Sequence, residues 1–309
     1  MKKVLFILGP TGVGKSEMAI KIAQKFGGEI ISADSVQVFR QLDIGSAKIT
    51  KEEMQNIPHY GIDILNPNDE FSVFNYVEYT KKKIEGISSR GRLPIIVGGT
   101  GLYVKALTLG YDFGGAGKNA DVRDRLKKEA EEKGLDVLYE RLKQVAPQKT
   151  EKIFPNDEKR IIRALEIYEC GEEPSLNEVD IDAKIIALDL QRDLLYDRIN
   201  KRVDKMLDNG LLHEVETLLK DGVKEDAQSM KAIGYKEVVE YIKNQISYEE
   251  MVELIKKHSR NYAKRQLTFC RGIAGLEFVD VLDRDNAEKI IFEKVEEWLW
   301  VILKNMKLN

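Results

Sequence analysis

The amino-acid sequence predicts an α/β fold in which helices flank a parallel sheet, with a small all-helical subdomain inserted into it. The first observation is a set of four short apolar runs of strand length, at residues 4–8, 29–33, 93–97 and 184–190. The second is that helical patterns separate the first three runs, for example at residues 15–26 and 74–87. Strands that alternate with helices are typical of a parallel sheet covered on both faces.

The third observation is that this alternation stops after the third strand. Residues 110–121 are rich in glycine and poor in apolar residues, which is typical of a flexible connection. Charged amphipathic helices follow without a strand, at about residues 121–133, 136–145 and 157–169. Residues 170–182 form a second break, and then the strand pattern resumes. We therefore assign residues 113–182 to the insertion, and residues 1–112 and 183–309 to an α/β core with C-terminal helices.

Composition limits the class of protein. The net charge is −3 over 309 residues, so nucleic-acid binding would need basic residues gathered locally. The two cysteines have no metal-ligand spacing and suit a reducing cytosol. The apolar run at 4–8 is too short for a signal peptide, and no stretch approaches the roughly 18 apolar residues of a membrane span. We expect a cytoplasmic monomer without membrane association.

The first strand leads into a glycine-rich loop, GPTGVGKS, at residues 9–16. The spacing Gly-x-x-x-x-Gly-Lys-Ser is that of a phosphate-binding loop, or P-loop. Its backbone N–H groups can face an anion, Lys15 can neutralise phosphate oxygens, and the Ser16 hydroxyl can bind Mg²⁺. The loop predicts binding of a di- or triphosphate with Mg²⁺ through Gly9, Thr11, Gly12, Val13, Gly14, Lys15 and Ser16.

The carboxylate that usually accompanies a P-loop is missing. In P-loop proteins that hydrolyse ATP, an apolar strand ends in an Asp that helps to hold Mg²⁺. Here the run at 93–97 is followed by Gly98-Gly99-Thr100-Gly101. Asp189 ends another apolar run and is either a metal neighbour or a strand-end cap. The machinery for ATP hydrolysis is therefore incomplete.

A different carboxylate, Asp34, directly follows the second strand. The carboxyl ends of parallel strands line the ligand crevice of such a sheet, so Asp34 is expected to face the P-loop ligand. There it could hold a metal, cap a helix or act as a general base. Position alone leaves these alternatives open.

Several segments together resemble one enzyme family. They occur in the order GPTGVGKS, ISADSVQVFRQLDIGSAK, IIVGGTGLYVKAL, IFPNDEKRIIRALEIYE, KAIGYKE and AKRQLTFCRG. This ordered set closely resembles the tRNA dimethylallyltransferases, also called tRNA isopentenyltransferases, over about residues 3–280. In that family a dimethylallyl group passes from its diphosphate to N6 of adenosine 37, next to the anticodon. The resemblance implies that the P-loop holds a diphosphate leaving group with Mg²⁺.

The resemblance also implies two catalytic roles. Asp34 matches the general base that takes the N6 proton as the C–N bond forms. Thr100 matches a threonine that lies between the two substrates near the bridging oxygen. A hydroxyl at this strand end could instead cap the next helix.

The same resemblance implies contacts with the tRNA anticodon stem-loop, from which the family extracts the target base. The matching positions are Asp34, Ser35, Val36, Gln37 and Thr100 in the core, and Arg123, Lys159, Arg160, Ile161, Ile162 and Arg163 in the insertion. The alternative for Arg160 and Arg163 is a solvated helix face paired with Asp157, Glu158 and Glu166.

Two further groups of basic residues are candidates from the sequence itself. Residues 254–276 contain six basic residues and no Asp or Glu, and Lys256, Arg260 and Lys264 share one helical face, which predicts contacts with RNA phosphates. Arg198 and Arg202 lie one turn apart after the last core strand. They could reach the diphosphate, or could form ordinary ion pairs with Asp197 or Asp204.

Three other functions share some of these features. An enzyme that prenylates free AMP, ADP or ATP would use the same core without needing the insertion or the basic stripe. A nucleotide or small-molecule kinase would turn over ATP, and a P-loop RNA-binding switch would bind tRNA without modifying it. A kinase would also leave the tRNA-type segments unexplained.

Overall fold

The structure, a computed structural model, describes residues 1–110, 119–171 and 180–306. Most of the two breaks that the sequence predicts at the ends of the insertion lies outside these residues. The chain divides into two compact units. We call Met1–Thr108 with Asp180–Asn309 the core unit, and Leu109–Val179 the helical unit.

The core unit is built on one six-stranded sheet in which all strands are parallel. The strands are β1 (Lys2–Leu8), β2 (Gly28–Ala33), β3 (His59–Tyr60), β4 (Leu93–Gly98), β5 (Ile181–Asp189) and β6 (Glu277–Asp280). Their order across the sheet is β3-β2-β4-β1-β5-β6. The predicted fold class, a P-loop parallel sheet flanked by helices, is confirmed.

Helices cover this sheet. In the core unit they are α1 (Lys15–Phe26), α2 (Val73–Ser89), α3 (Gly101–Thr108), α8 (Arg192–Asp208), α9 (Leu211–Lys220), α10 (Tyr235–Ile242), α11 (Tyr248–Arg271) and α12 (Arg284–Met306). A 3₁₀ turn at Ser229–Lys231 precedes α10. Ser247 caps α11 in a capping box with Glu250, as its sequence predicts. No helix in the described part of the chain is long and apolar enough to cross a membrane.

The helical unit consists of α4 (Ala120–Lys133), α5 (Leu135–Val145), α6 (Pro147–Thr150) and α7 (Glu158–Cys170). Its own apolar core includes Leu126, Leu138, Leu142 and Leu165, each fully buried. Three of these helices agree with the sequence prediction, and the four-residue α6 was not predicted. A separate core explains why the alternation of strands and helices stops here.

Close packing between two central strands brings the candidate residues together. Ala33, the last residue of β2, pairs with Gly98, the last residue of β4. A Cβ atom on Gly98 would lie 2.4 Å from the Ala33 carbonyl oxygen, so this approach requires glycine. The N–H of Thr100 then donates to the same carbonyl oxygen at 3.2 Å. Asp34 and Thr100 therefore leave the sheet side by side.

Two strands and the last helix were missed from the sequence. Strand β3 has two residues and β6 has four, and both lie at sheet edges, where no continuous apolar run is needed. Helix α12 lies beyond residue 270, where the sequence prediction of separate helices ended.

Candidate active site

The P-loop lies between β1 and α1, at the carboxyl end of the central strand of the sheet. Gly9, Gly12 and Gly14 have φ angles of 140°, 81° and 101°, which side chains disfavour. A Cβ atom on Gly9 would lie 2.6 Å from the Leu188 carbonyl oxygen. The side chain of Val13 is buried and that of Ser16 is exposed. The loop geometry thus depends on the glycines of the motif and directs the N-terminus of α1 toward an anion.

The Lys15 side chain folds back onto the P-loop. Its Nζ donates a hydrogen bond to the Pro10 carbonyl oxygen at 2.8 Å. Burial, and then the positive charge of Arg202, lower the pKa of Lys15 to about 8, while Asp34 opposes this shift. An arriving anion would stabilise the charged ammonium, so this environment favours binding of a phosphate group.

Asp34 lies at the end of β2 and organises the turn that follows. Its Oδ1 accepts hydrogen bonds from the N–H groups of Val36 at 2.8 Å and Gln37 at 3.2 Å. No helix begins here, so the helix-cap alternative is wrong and Asp34 caps a turn instead. Among the described residues, no donor forms a hydrogen bond with the other carboxylate oxygen, Oδ2. This oxygen is therefore available to accept a proton from a substrate.

The neighbouring positions 35–37 fix the same turn. Ser35 and Val36 are half-buried. The Gln37 side chain donates to the carbonyl oxygens of Ser46 and Ala47, at 3.4 Å each, and accepts from Ser32 at 3.3 Å. Gln37 therefore ties the turn to the loop at residues 46–47.

Thr100 follows β4 and places a hydroxyl beside Asp34. Its Oγ1 is buried and has no hydrogen-bond partner of normal geometry in the described part of the chain. It does lie close enough to the Tyr262 hydroxyl to lower the pKa of that phenol, against the larger upward effects of burial and Asp34. The alternative in which this hydroxyl caps α3 is wrong, since no such bond forms.

Arg202 of α8 faces the same region, and Arg198 lies one turn before it on that helix. Burial lowers the pKa of Arg202 and the Asp34 carboxylate opposes this, so the two charges are near each other. Arg202 Nη2 donates a 3.4 Å hydrogen bond to the Ser46 carbonyl oxygen. Arg198 Nη1 is buried without a partner among the described residues. Buried guanidinium N–H groups without an acceptor are prepared for an external anion.

The alternative ion pairs for these two arginines are not found. Asp197 pairs with Lys201 at 2.7 Å, and Asp204 pairs with Lys256 at 2.7 Å. Both carboxylates are thus engaged by other cations.

The residues near the P-loop fit Mg²⁺ held mainly by substrate. Within residues 1–110, 119–171 and 180–306, no group of three His, Cys, Asp or Glu side chains could form a protein metal cage. Asp189 Oδ1 accepts the N–H of Leu190 at 2.9 Å, which favours the strand-end cap over the metal neighbour. Mg²⁺ usually binds through few protein oxygens together with phosphates and water. An exposed Ser16 hydroxyl beside a diphosphate site fits that pattern.

Two site residues on α11 were missed from the sequence. Gln266 Oε1 accepts the N–H of Thr11 in the P-loop at 2.8 Å. Tyr262, one turn earlier, lies by Thr100 and Asp34. Both belong to the segment NYAKRQLTFCRG, and their spacing of four residues puts them on one helical face, which is the signal that could have identified them.

The candidate RNA-binding residues of the helical unit are mostly engaged within it. Arg123 and Arg163 both bind the fully buried carboxylate of Glu166, at 2.8 and 2.7 Å. Arg160 pairs with Asp157 at 3.3 Å. The predicted alternative, ion pairs for Arg160 and Arg163, is therefore what the structure has.

Two other predicted contacts in α7 need correction. The side chains of Ile161 and Ile162 are 0% and 4% exposed and belong to the apolar core of the helical unit. The helical face that they occupy packs inward, so these two side chains are not available to RNA, and a contact through their backbone stays a prediction. Lys159 and Arg160, on the other face, are exposed.

The basic residues of α11, which we call the basic stripe, differ in whether they have a partner within the core unit. Lys256 pairs with Asp204 of α8, and Arg260 donates to Asn200 Oδ1 at 2.6 Å. The expectation that this stripe lacks acidic partners is wrong for Lys256, since its partner comes from another helix. Lys264 is exposed, as are Lys257 and Arg265. Arg271, at the end of α11, is exposed too, and the guanidinium of Arg265 lies over the Tyr262 ring at 5.6 Å from its centroid.

Family comparisons agree with the geometry. A family model described as IPP transferase matches residues 37–272, and one described as isopentenyl transferase matches residues 2–63. Relatives named tRNA dimethylallyltransferase from Bacillus anthracis and Bacillus cereus (strain AH187) are each 46% identical over 297 residues. These alignments cover 94% of this chain, with 94% and 93% of the respective relative.

Solved structures give the same result. A tRNA isopentenylpyrophosphate transferase from Bacillus halodurans has a TM-score of 0.77 and 39% identity, covering 99% of this chain and 100% of that one. A eukaryotic dimethylallyltransferase acting on tRNA has a TM-score of 0.77 and 30% identity, covering 92% of this chain and 75% of that one. The resemblance expected from the sequence is confirmed, and this chain belongs to the IPP transferase family.

Proposed function

We propose that this protein transfers a dimethylallyl group from dimethylallyl diphosphate to N6 of adenosine 37 in tRNA and releases diphosphate. The names of its relatives support transfer to tRNA, and the site supports this chemistry. The observation of most weight is a buried cationic site beside a carboxylate. Lys15 and Arg202 lie near Asp34, and Arg198, one turn before Arg202 on α8, has a buried N–H group without a partner among the described residues, while β4 ends in glycine instead of an Asp that could hold Mg²⁺.

The cations of the core unit would stabilise the leaving group. As the C1–O bond of the allylic diphosphate breaks, its electron pair moves to the diphosphate oxygen. Lys15, Arg202 and the P-loop N–H groups are arranged to stabilise that developing charge. Mg²⁺, bound through Ser16 and the diphosphate, would supply further charge neutralisation when present.

Asp34 would act on the other substrate. The N6 amine is a poor nucleophile because its lone pair is delocalised into the adenine ring. As the N6–C1 bond forms, the amine must lose a proton, and the free Oδ2 of Asp34 can accept it. Thr100, whose hydroxyl has no partner of normal geometry among the described residues, would bind near the bridging oxygen between the two substrates.

RNA binding would use both units. We propose that residues 113–182 grip the anticodon stem-loop, with the exposed Lys159 and Arg160 of α7 among the contacts. Lys257, Lys264 and Arg265 on α11 would contact phosphates. We further propose a cytoplasmic monomer, which agrees with the two free cysteines of the described residues.

Mass spectrometry of reaction products tests this function. Unmodified tRNA with adenosines at positions 36 and 37 is incubated with the protein, Mg²⁺ and dimethylallyl diphosphate, beside a reaction with AMP alone. We expect one dimethylallyl mass gain mapped to adenosine 37, with AMP unchanged. Prenylated AMP without tRNA product would indicate the free-nucleotide enzyme. No product in either reaction would contradict the proposal.

A further inference from the structure

We propose that Gln266 of α11 is a positioning residue that fixes the P-loop relative to the turn containing Thr100. The inference rests on the proposed function, because it concerns how the leaving-group site and the residue at the bridging oxygen are aligned. Gln266 is a buried polar residue, 6% exposed, on the inward face of α11. Burying a glutamine amide is unfavourable unless its polar atoms find partners.

The first interaction of Gln266 holds the P-loop. Its Oε1 accepts the N–H of Thr11 at 2.8 Å, across 255 residues of sequence. Thr11 is the third residue of the loop, and its amide is thereby removed from the set that can face an anion. The later N–H groups, toward Ser16 and the start of α1, remain for the diphosphate. One side-chain bond therefore fixes the first half of the loop.

The second interaction is against the turn that follows β4. A Cβ atom on Gly99 would lie 1.9 Å from Gln266 Nε2, so the glutamine occupies the space that a side chain would need. A Cβ atom on Gly101 would lie 2.3 Å from the ring of Phe269, which is three residues further along α11. The two glycines that flank Thr100 are thus both packed against side chains of this one helix.

Tyr262 of α11 is a third side chain that lies by Thr100. It lies one helical turn before Gln266, so the two side chains share a face. Interactions with the Thr100 hydroxyl and with Gln266 both act on the Tyr262 phenol. Tyr262, Gln266 and Phe269 therefore surround the Thr100 turn, and only Gln266 of these three also bonds to the P-loop.

This arrangement predicts an effect on alignment. Reacting groups that are misplaced by about 1 Å can lose about 100-fold in rate. Gln266 bonds to the Thr11 amide and packs against Gly99. Without it, no single side chain contacts both segments, and the P-loop can shift relative to Thr100. The basic residues that would bind tRNA lie on the outer face of α11 and are not changed.

The test compares Gln266→Leu with Gln228→Leu. Gln228 is an exposed control outside the site, and its side chain also bonds to backbone groups, the N–H and C=O of Phe71 at 3.0 Å each. We measure the single-turnover rate of transfer to tRNA, the affinities for tRNA and for inorganic diphosphate with Mg²⁺, and the melting temperature. For Gln266→Leu we expect a rate about 10–100-fold lower and weaker diphosphate binding, with tRNA affinity unchanged.

A second variant tests the same contact without changing Gln266, so that a folding defect of Gln266→Leu alone cannot decide the result. Gly99→Ala keeps Gln266 but places a methyl group where its amide lies, so we expect the same loss of rate and of diphosphate affinity. The proposal is overturned if Gln266→Leu matches Gln228→Leu in rate and diphosphate affinity, or if Gly99→Ala matches wild type. If wild-type protein does not modify tRNA, the proposed function fails. The diphosphate affinities of the four proteins would still decide whether Gln266 positions the loop.

Discussion

The cationic side chains near the P-loop of the core unit and the arginines around Glu166 in the helical unit are in opposite states. Near the P-loop, Lys15 and Arg202 bond to backbone carbonyl oxygens, and a buried N–H group of Arg198 has no acceptor among the described residues. In the helical unit, Arg123 and Arg163 share the buried carboxylate of Glu166. The first set is prepared for an anion that comes from outside, whereas the second already has one within the fold.

The difference follows from the cost of burying charge. A buried cation without a counter-charge is unfavourable. Its pKa is therefore lowered, and binding of an anionic ligand stabilises the charged form. Lys15 is an example, with a pKa lowered to about 8 by burial and by Arg202. A buried carboxylate with two guanidinium partners is instead a structural element, and losing one partner is strongly destabilising. Residue type alone does not distinguish these roles.

The largest effect that we expect is the loss of the core carboxylate. Asp34→Asn keeps an oxygen that can accept the N–H groups of Val36 and Gln37, but it cannot take a proton. Turnover should fall about 10²–10⁴-fold while tRNA binding is retained. Asp189→Asn, at the end of β5, is the control and should stay near wild type. Wild-type turnover in Asp34→Asn, or equal losses in both variants, would mean that the core cluster is only structural.

The next effect concerns the buried carboxylate of the helical unit. Glu166→Gln should lower the free energy of unfolding of this unit by about 1–3 kcal/mol, because two half-buried arginines lose their shared counter-charge. Urea unfolding and amide hydrogen exchange of α4 and α7 measure this. The exposed pair Lys143–Glu140 provides the control, since Glu140→Gln should leave the stability close to that of the wild type. Equal stability of the two variants would contradict the structural role.

Acid should affect the same unit in a predictable direction. Its arginine partners hold the folded-state pKa of Glu166 below the usual 4.5, against the opposing effect of burial. Its stabilisation is therefore present above that value and is lost as the pH falls through the lower folded-state pKa. Glu166→Gln should lack this part of the acid dependence.

A smaller effect is expected from the titration of Lys15. Its pKa is about 8 in the free protein, so above that pH it must take up a proton to bind diphosphate as a cation. The affinity for inorganic diphosphate should then fall by up to about tenfold per pH unit, relative to a protein whose cation does not titrate. Lys15→Arg is that reference and also corrects for titration of diphosphate itself. Identical pH profiles would mean that Lys15 does not titrate in this range.

The smallest expected effect concerns the outer face of α11. Replacing Lys257, Lys264 and Arg265 by Gln should lower the slope of log affinity for tRNA against log salt by about 0.7–0.9 for each phosphate that the variant no longer neutralises. Lys256→Gln and Arg260→Gln should change it less, because Asp204 and Asn200 already engage these residues. A larger change in slope for Lys256→Gln and Arg260→Gln than for the triple variant would mean that RNA binds near Lys256 and Arg260, beside α8.

The sequence predicted those features that follow from local pattern or from the general geometry of parallel sheets. The P-loop spacing fixes Lys15 at the start of α1, and the end of the second strand predicts that Asp34 faces the P-loop ligand. The same reasoning missed β3 and β6, because short edge strands have no continuous apolar run.

Interactions between distant segments could not be predicted in this way. Lys256 looked unpaired because its partner, Asp204, belongs to another helix. Gln266 showed no signal of its own, since the Thr11 amide that it binds is 255 residues away in sequence. Ile161 and Ile162 were assigned to RNA binding by family position, although their apolar type indicates the core that they occupy.

One pair of variants tests the contrast between the two regions most directly. Single-turnover transfer and tRNA affinity are measured for Arg202→Gln and Arg163→Gln at saturating dimethylallyl diphosphate. We expect Arg202→Gln to lose about 10²–10³-fold in transfer rate with tRNA affinity retained, because it removes a donor from the developing charge. Arg163→Gln should keep its transfer rate at saturating tRNA and show a lower stability of the helical unit. A loss of transfer rate in Arg163→Gln as large as in Arg202→Gln would contradict this account.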